Sequence, residues 1–364
     1  MSGLEIQVAR SPGCGDTVRH VASAWDEFLR QNPRGQFQQS LRWGKVKVLD
    51  GWSAEVQVWP RPEGIEGGFM MLHKHSRFGR VGFVNKGPVL GEETQTAVAP
   101  AIESVCRKAR ALRLCALVVQ PPDQSRIRTE DMVRHGFLAV RVPGVVDATA
   151  MCRVEGGRPA IEAQMSRSAT KHCRQAVRRG VEIFEGGRHD LPVFFDLMLG
   201  SCRRQGARPN PGRVEGLEGL WDAFAPDVRL FFARVHGQVV AGLLLIRFGK
   251  RCTFWKKGWN ERAPETHANA LLNFQAMVEA AEWGCDVVDF VAMDRRLAEH
   301  WQPGQTMDDE LGQSRHAFNL RLGARPVLLP RAQVYVPSRV LRPLVGFLLS
   351  RPALARRIEG AIVR

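Results

Sequence analysis

The stretch VRLFFARVHGQVVAGLLLIRFG, residues 228–249, predicts a β-hairpin. Two runs of branched and aromatic residues flank Gly237, and a short turn containing glycine is a typical hairpin signal. A third strand-like run, RCTFWKKGW, follows at 251–259. A helix-like run then covers 267–284, and the buried-strand pattern CDVVDFV occupies 285–291. This half of the chain therefore predicts three successive strands, a helix and one further strand.

The first half of the chain repeats this order of elements. Three strand-like runs, one helix-like run and one buried-strand run lie at 54–61, 67–76, 80–90, 97–112 and 114–121. Helices alternating with strands in this way are typical of helices packed on a mixed sheet. We therefore predict an α/β (α+β) fold with two domains of similar layout. The predicted domains are residues 1–155 and 156–335, followed by a basic amphipathic tail at 336–364.

Charge is the unusual feature of the composition. The chain has 364 residues and a net charge of +15, which points to an anionic partner such as nucleic acid, a nucleotide or an anionic membrane. Its eight cysteines show no C-x-x-C spacing, so we predict reduced thiols and neither a metal nor a cofactor. The first residues lack the apolar core of a signal peptide, and no apolar run approaches the ~20 residues of a membrane span. These features predict a cytoplasmic protein.

The most basic segment is MSRSATKHCRQAVRRG, residues 165–180. On a helix, four of its cations fall on one face, and Ala169, Cys173, Ala176 and Val177 fall on another face that is expected to pack inward. The four cations are Arg167, Lys171, Arg174 and Arg178. A solvated face would explain them, but such faces usually mix charge signs, and residues 165–181 contain no acid. A partner bearing phosphates is the alternative interpretation.

Several motifs resemble those of the Fem-like aminoacyltransferases, whose two tandem domains have the GNAT-type acyltransferase fold. The entry segment NPRGQFQQSLRWGKVK at 32–47, NKGPVLG at 85–91 and the basic helix followed by Gly-Val match that family in order and spacing. The second-half runs at 229–245, 267–284 and 286–291 also match. No heptad run is present, so the chain resembles the small type without a coiled-coil arm.

This resemblance implies transfer of an amino acid from aminoacyl-tRNA, the donor, to an amine. The acceptor would be a nucleotide- or lipid-linked cell-wall precursor, or a small amine. Lys47 matches the family's lysine near the acceptor pyrophosphate, and Arg204 matches an arginine with the same role. Lys45 is a further candidate, because the KVK spacing would place both lysines on one side of a strand. Each of these three has an ordinary surface cation as its alternative.

Two positions depart from the family pattern. Asn319, in HAFNLRLG, stands where many members carry a lysine, and it can donate a hydrogen bond but no charge. Arg315 and Arg321 lie nearby in sequence and could substitute for that lysine. After the first-half strand, Pro121 lies near the place where some members have an aspartate, and Asp123 comes slightly later.

The reaction itself makes modest demands on a base, because an aminoacyl ester is already activated. Asp289 is the carboxylate we assign, together with Asn319, to the catalytic centre; the alternative for Asp289 is a hydrogen-bonded residue at a strand end. His267 opens the second-half helix, where a polar residue at a helix start is the simpler interpretation. Lys256 and Lys257 lie between Trp255 and Trp259, a pattern that suits an unpaired RNA end, although alternate tryptophans also pack cores.

Two further functions remain open. An acyl-CoA-dependent GNAT N-acyltransferase acting on an exopolysaccharide or small amine is one, but neither half has the glycine pair that holds the CoA pyrophosphate. A non-catalytic RNA- or membrane-binding module is the other, and the asparagine at position 319 is its support. The basic amphipathic run at 338–364 predicts a peripheral contact with the inner face of a membrane, and its alternative is a terminal helix docked on the core.

Overall fold

The computed structural model describes residues 4–8, 17–62, 64–77, 79–142, 144–301 and 316–351. The chain divides into two compact units. Residues 1–147 and 329–364 form the first, and residues 148–328 form the second. Both boundaries differ from the predicted ones. Residues 148–153 pair within the second sheet, and residues 333–335 pair within the first. Such pairing between distant segments leaves no mark in local composition.

The first unit contains one sheet and the helices packed on it. Its elements are β1 (Leu4–Val8), α1 (Thr17–Gln31), α2 (Leu41–Leu49), β2 (Ser53–Arg61), β3 (Gly64–Ser76), β4 (Gly79–Asn85), β5 (Val89–Leu90), α3 (Gln95–Ala111), β6 (Ala116–Gln120), α4 (Thr129–Arg134) and β7 (Phe137–Leu138).

The last elements of the chain complete this first sheet. A strand at Gln333–Tyr335 inserts between β6 and β7, giving the order β1-β2-β3-β4-β6-(333–335)-β7, with β5 on β3. The central strand β6 is buried on both faces, which explains its continuous apolar run. Leu117 faces the core under α3, whereas Val118 faces the cluster that contains Leu349 near the C-terminus.

The second unit repeats the layout. Its elements are β8 (Ala148–Arg153), α5 (Gly157–Gln164), α6 (Arg167–Arg178), β9 (Val181–Gly186), α7 (Leu191–Arg204), α8 (Val214–Phe224), β10 (Val228–Val235), β11 (Gln238–Phe248), β12 (Arg251–Trp259), α9 (Arg262–Thr266), α10 (Ala268–Glu282), β13 (Val287–Asp289), α11 (Arg295–His300), α12 (Ala317–Arg321) and β14 (Arg325–Leu328). The strand β15 (Gln333–Tyr335) and the helix α13 (Arg342–Ser350) then belong to the first unit.

The second sheet has the order β14-β8-β13-β12-β11-β10-β9. The predicted hairpin at residues 228–249 is confirmed as β10 and β11. At its turn His236 and Gly237 have φ of 48° and 77°, and two successive positive φ values match the twist of a tight hairpin. The core of the unit lies between this sheet and α10, with Phe231, Leu245 and Met277 fully or almost fully buried.

The predicted repeat is confirmed. In both units three antiparallel strands lead into a helix and then into a strand that pairs parallel to the third: β6 with β4, and β13 with β12. The two parallel pairs differ in length. Five residue pairs join β4 to β6, whereas three join β12 to β13.

Two sequence expectations concern the whole chain. The seven cysteines in the described ranges are all unpaired thiols, and Cys14 lies outside those ranges. None of the helices in the described part of the chain is long and apolar enough to span a lipid bilayer.

Candidate functional site

The second unit opens where β12 and β13 separate. Their parallel pairing ends at Thr253 and Asp289. Beyond this point the chain after β13 follows β8, since the amides of Phe290 and Met293 donate to the carbonyls of Ala150 and Ala148 at 2.9 Å each. The rest of β12 stays paired with β11. Carboxyl ends of parallel strands that part in this way form a common place for ligands in α/β folds.

Asp289 holds the backbone at this opening. Its Oδ1 accepts hydrogen bonds from the Thr149 hydroxyl at 2.5 Å and the Val291 amide at 2.9 Å. An Arg251 nitrogen lies 3.7 Å from its Oδ2. Val291 and Ala292 both have positive φ, a costly conformation for residues with a Cβ and one that is enriched at functional sites. These contacts match the structural alternative for Asp289, and its catalytic role stays a prediction.

Lys257 projects into the same region of the second unit. Its Nζ donates to Oδ1 of Asn273 on α10 at 2.8 Å and lies 4.8 Å from the centre of the Phe290 ring. The Phe254 ring centre is 5.5 Å away. Burial lowers the pKa of this amine to about 7. These contacts direct the amine toward α10, and the predicted role of Lys257 as a contact for RNA phosphates stays a prediction.

A β-bulge directs Lys257 inward. Leu245 pairs with Phe254 and Leu244 pairs with Lys256, so Trp255 is an extra residue on β12. An extra residue reverses the alternation of side chains and often re-aims one of them next to a functional site. Lys256 is half-buried, with its Nζ 4.8 Å from the centre of the Trp255 ring. Its predicted role as an anion contact stays a prediction.

The basic segment forms the helix α6, as predicted. The Ser166 side chain accepts a hydrogen bond from the Ala169 amide at the helix start, and Gly180 follows the end with φ of 72°. Ala169, Cys173 and Ala176 are buried, but Val177 is 61% exposed, contrary to prediction.

The four predicted cations of α6 are all exposed: Arg167, Lys171, Arg174 and Arg178. We call these four residues the α6 stripe. Within the described ranges, none of them forms an ion pair with an acidic side chain. The stripe therefore presents four positive charges to solvent on one helix face.

A histidine pair lies where α6 meets the start of α10. The rings of His172 and His267 stack with centroids 4.2 Å apart and an interplanar angle of 12°. Burial lowers the pKa of both, and neighbouring positive charge lowers it further: Arg321, Lys171 and Arg179 for His172, and His172 and Arg179 for His267. The residue that precedes α10 is thus stacked on a residue of α6.

The predicted acceptor-binding lysines lie on a helix, not on a strand. Lys45 and Lys47 belong to α2, so their side chains are about 200° apart around the helix axis and do not share a side. Ser40 caps this helix by accepting from the Trp43 amide, a start signal that outweighs the strand-like KVK pattern. Lys45 is exposed, whereas the Lys47 ammonium contacts the Asp50 carboxylate and lies 5.5 Å from the centre of the Trp43 ring.

Arg204 lies at the end of α7 in the second unit. Its guanidinium donates to the carbonyl of Trp259 and to the Ser201 hydroxyl, and it lies 3.4 Å from a carboxylate oxygen of Glu261. It also lies 5.5 Å from the centre of the Trp259 ring. These contacts fix the end of β12 against α7, and the predicted pyrophosphate contact stays a prediction.

Asn319 lies on the short helix α12. Its backbone carbonyl accepts from the amides of Leu322 and Ala324, and its side chain is partly exposed. The carbonyl of Arg321 accepts from the Ser166 amide at 2.8 Å, which ties α12 to the start of α6. Arg315 lies outside the described residues. The catalytic role of Asn319 stays a prediction.

Sequence patterns missed the most constrained part of the site. Asn273 sits inside an apolar helix pattern, and its Nδ2 donates to the Asn269 carbonyl at 2.8 Å, so it was hidden among core positions. The bulge at Trp255 and the positive φ values at Val291 and Ala292 depend on strand pairing. The available signal was a polar residue, Asn273, within an otherwise apolar helix pattern.

Two family models match the chain. Residues 21–139 match the FemAB family, and residues 164–302 match the acetyltransferase (GNAT) domain. Together these matches span most of the chain.

Curated relatives are distant in sequence. The chain is 22% identical over 253 residues to the UDP-N-acetylmuramoylpentapeptide-lysine N(6)-alanyltransferase of Weissella viridescens, covering 64% of this chain and 73% of that protein. It is 21% identical over 269 residues to the lipid II:glycine glycyltransferase of Staphylococcus aureus (strain MRSA252), covering 71% and 60%. The chain thus spans about three fifths of the glycyltransferase's length.

Solved structures share the fold. A crystal structure of FemX superposes with a TM-score of 0.72 at 15% identity, covering 89% of this chain and 98% of that one. A tandem GNAT protein from the clavulanic acid biosynthesis pathway superposes with a TM-score of 0.52 at 11% identity, covering 88% and 96%. The predicted fold of two GNAT-like units in tandem is confirmed.

Proposed function

We propose that the chain is a FemAB-type acyltransferase that transfers an aminoacyl group from aminoacyl-tRNA to an amine of a peptidoglycan precursor. The names of the two curated relatives support this acceptor, since one specifies a muramoylpentapeptide lysine and the other lipid II. A small amine related to such precursors is the wider acceptor class.

The α6 stripe is the observation that carries the choice of donor. Its four exposed cations extend from Arg167 to Arg178, a helix of 12 residues, or about 16 Å at the rise of an α-helix. Like charges on one face repel one another, so an anionic partner that neutralises them offsets an internal cost. A tRNA acceptor arm presents phosphates over this length, and binding to them releases counterions.

Donor discrimination tests the proposal directly. The purified protein is incubated with labelled aminoacyl-tRNAs or with labelled acyl-CoAs, each with a peptidoglycan precursor extract, and label is followed into amide products. We expect label to move from tRNA. Label moving from CoA alone would refute the tRNA donor, and binding without any transfer would favour a non-catalytic RNA-binding module.

The acyl-CoA-dependent alternative has one specific support, the match of residues 164–302 to the acetyltransferase (GNAT) domain. Acyl-CoA enzymes of this fold hold a pyrophosphate at a helix start that exposes its amides. Here His267 precedes α10, its ring stacks on His172, and no glycine pair is present. A rise in melting temperature with acyl-CoA but not with charged tRNA would favour this alternative.

For the acceptor pyrophosphate we retain Lys47 and Arg204, each with a test of its own. Removing a charged hydrogen-bond partner costs about 1.5–3 kcal/mol, or roughly 10- to 150-fold in KM for the precursor. Lys47→Ala and Arg204→Ala are compared with Arg107→Ala, a side chain that is 69% exposed and paired with Glu103. If both variants keep the KM of the wild type, the assignment is wrong. Lys45 is a weaker candidate, because its assignment relied on a strand and the residue lies on the helix α2.

We also propose a peripheral membrane contact through α13. Leu349 docks this helix on the first-unit core, but Leu344 and Phe347 are 54% and 55% exposed, and Val340 just before it is 86% exposed. Arg339 is exposed beside them. Apolar side chains flanked by arginines suit an anionic lipid surface. Leu344→Gln/Phe347→Gln should abolish sedimentation with phosphatidylglycerol vesicles, and unchanged sedimentation would refute the contact.

A further inference from the structure

The amine of Lys257 is surrounded by uncharged groups. The groups that contact its Nζ are the neutral amide of Asn273 and the rings of Phe254 and Phe290. On β11 its register partner is Leu243. Burial of an ammonium without a carboxylate among these contacts lowers the pKa of the amine to about 7, so the charged and neutral forms coexist near neutral pH.

Other titratable groups near this region are engaged elsewhere. The Asp289 oxygens contact Thr149, Val291 and Arg251. Lys256 is the adjacent residue, and its amine lies over the Trp255 ring. The stacked pair His172 and His267 lies at the start of α10, six residues before Asn273. Burial is the cause that lowers the pKa of Lys257.

Asn273 fixes the orientation of the amine. Its Nδ2 donates to the Asn269 carbonyl, so its Oδ1 is the atom that faces Lys257 and accepts a hydrogen bond from Nζ. A neutral amine has two N–H groups and one lone pair. With one N–H held by Asn273, the other N–H and the lone pair are directed away from the Asn273 amide, and the Phe290 ring centre lies 4.8 Å from Nζ.

We propose that Lys257 accepts the proton of the attacking amine during acyl transfer in the opening between β12 and β13. This inference rests on the proposed function and assigns its proton acceptor. The substrate amine adds to the acyl carbonyl, and the C–N bond forms. The extra proton on that nitrogen moves to the lone pair of Lys257. The ester C–O bond then breaks, and Lys257 returns the proton to the departing ribose oxygen, so the enzyme ends unchanged.

The test compares single-turnover transfer rates of the wild type, Lys257→Met and Lys257→Ala over a range of pH. General acid–base groups contribute about 10²- to 10⁴-fold, so we expect losses of that size in both variants. Donor binding, measured by filter retention of aminoacyl-tRNA, should stay within about twofold because the amine acts on the proton. Lys250→Met is the matched control, since Lys250 lies just before β12 with a side chain 72% exposed.

Two readouts separate proton transfer from a structural role. The wild-type rate should rise with pH as the amine of pKa about 7 becomes neutral, and this limb should vanish in Lys257→Met. Added primary alkylamines should restore transfer by Lys257→Ala, with rates that follow amine basicity.

The inference is wrong if Lys257→Met or Lys257→Ala keeps the wild-type rate. It is also wrong if Lys257→Met keeps the rising limb with pH and added amines do not restore transfer by Lys257→Ala. In either case the proposed function stands. A wild-type protein that transfers label from neither donor overturns both, and this result is visible before any variant is made.

Discussion

Replacing Lys257 by methionine should change how the stability of the protein depends on pH. Methionine fills similar space without an ionisable group. In the folded protein burial lowers the pKa of Lys257 to about 7, against 10.5 for an ordinary lysine. Between these values the unfolded chain holds one proton that the folded protein lacks. The free energy of unfolding therefore rises with pH across this window.

The size of the effect follows from linkage. One proton of difference gives a slope of about 1.4 kcal/mol per pH unit, so raising the pH from about 8 to about 9.5 should add about 2 kcal/mol. The slope falls to about half of this value at pH 7, where about half of the folded molecules carry the proton, and it approaches zero at lower pH. In Lys257→Met it is absent at every pH, so the two proteins should differ in slope.

Urea unfolding followed by circular dichroism measures this slope. The thiols and the other lysines titrate in both proteins, so the difference between wild type and Lys257→Met isolates one amine. Lys250→Met should keep the wild-type slope, because the Lys250 ammonium stays in contact with water when the protein is folded. Parallel curves for wild type and Lys257→Met would show that Lys257 is charged in the folded protein, and the burial reasoning would fail.

Three further substitutions test other features of the second unit. Asp289→Ala should lower the free energy of unfolding by about 1–3 kcal/mol, because the Val291 amide and the Thr149 hydroxyl lose their acceptor, and Asp286→Ala is its exposed control. Gly258→Ala should cost about 1–3 kcal/mol, since its Cβ would lie 2.5 Å from the Met198 nitrogen, whereas Gly212→Ala has open space; equal urea midpoints would refute this close packing. Changing all four residues of the α6 stripe to glutamine should reduce the salt slope of tRNA binding by about 3, and Arg188→Gln/Arg234→Gln, whose charges are already paired with Asp222 and Glu182, should not.

Local sequence patterns predicted the helices and strands of this fold. The features that they did not predict depend on pairing between residues far apart in the chain. The hairpin at Gly237 and the caps of α6 at Ser166 and Gly180 are set by neighbouring residues. The KVK segment was misassigned because two lysines two apart suit either a strand or a helix, and only the Ser40 cap separates them. The orientation of the Lys257 side chain depends on the β-bulge opposite β11 and on the hydrogen bond to Asn273, which lies sixteen residues away.

The two parallel strand pairs explain why the candidate site is assigned to the second unit. In the first unit the pairing of β4 with β6 runs through Asn85 and Gln120, and the Gly87 amide continues it by donating to the Gln120 carbonyl at 2.9 Å. The charge next to this pair is neutralised, since the Lys86 ammonium lies 2.7 Å from a buried oxygen of Asp123.

In the second unit the corresponding strands part after three residue pairs, and the lysine at the opening meets an amide instead of a carboxylate. A carboxylate partner would favour the charged form of Lys257. Because the partner present here is the neutral amide of Asn273, the amine of Lys257 can lose its proton near neutral pH. Asn273→Asp should therefore raise the pKa of Lys257 and shift the rising limb of the transfer rate to higher pH. An unshifted limb would show that Asn273 does not control this amine.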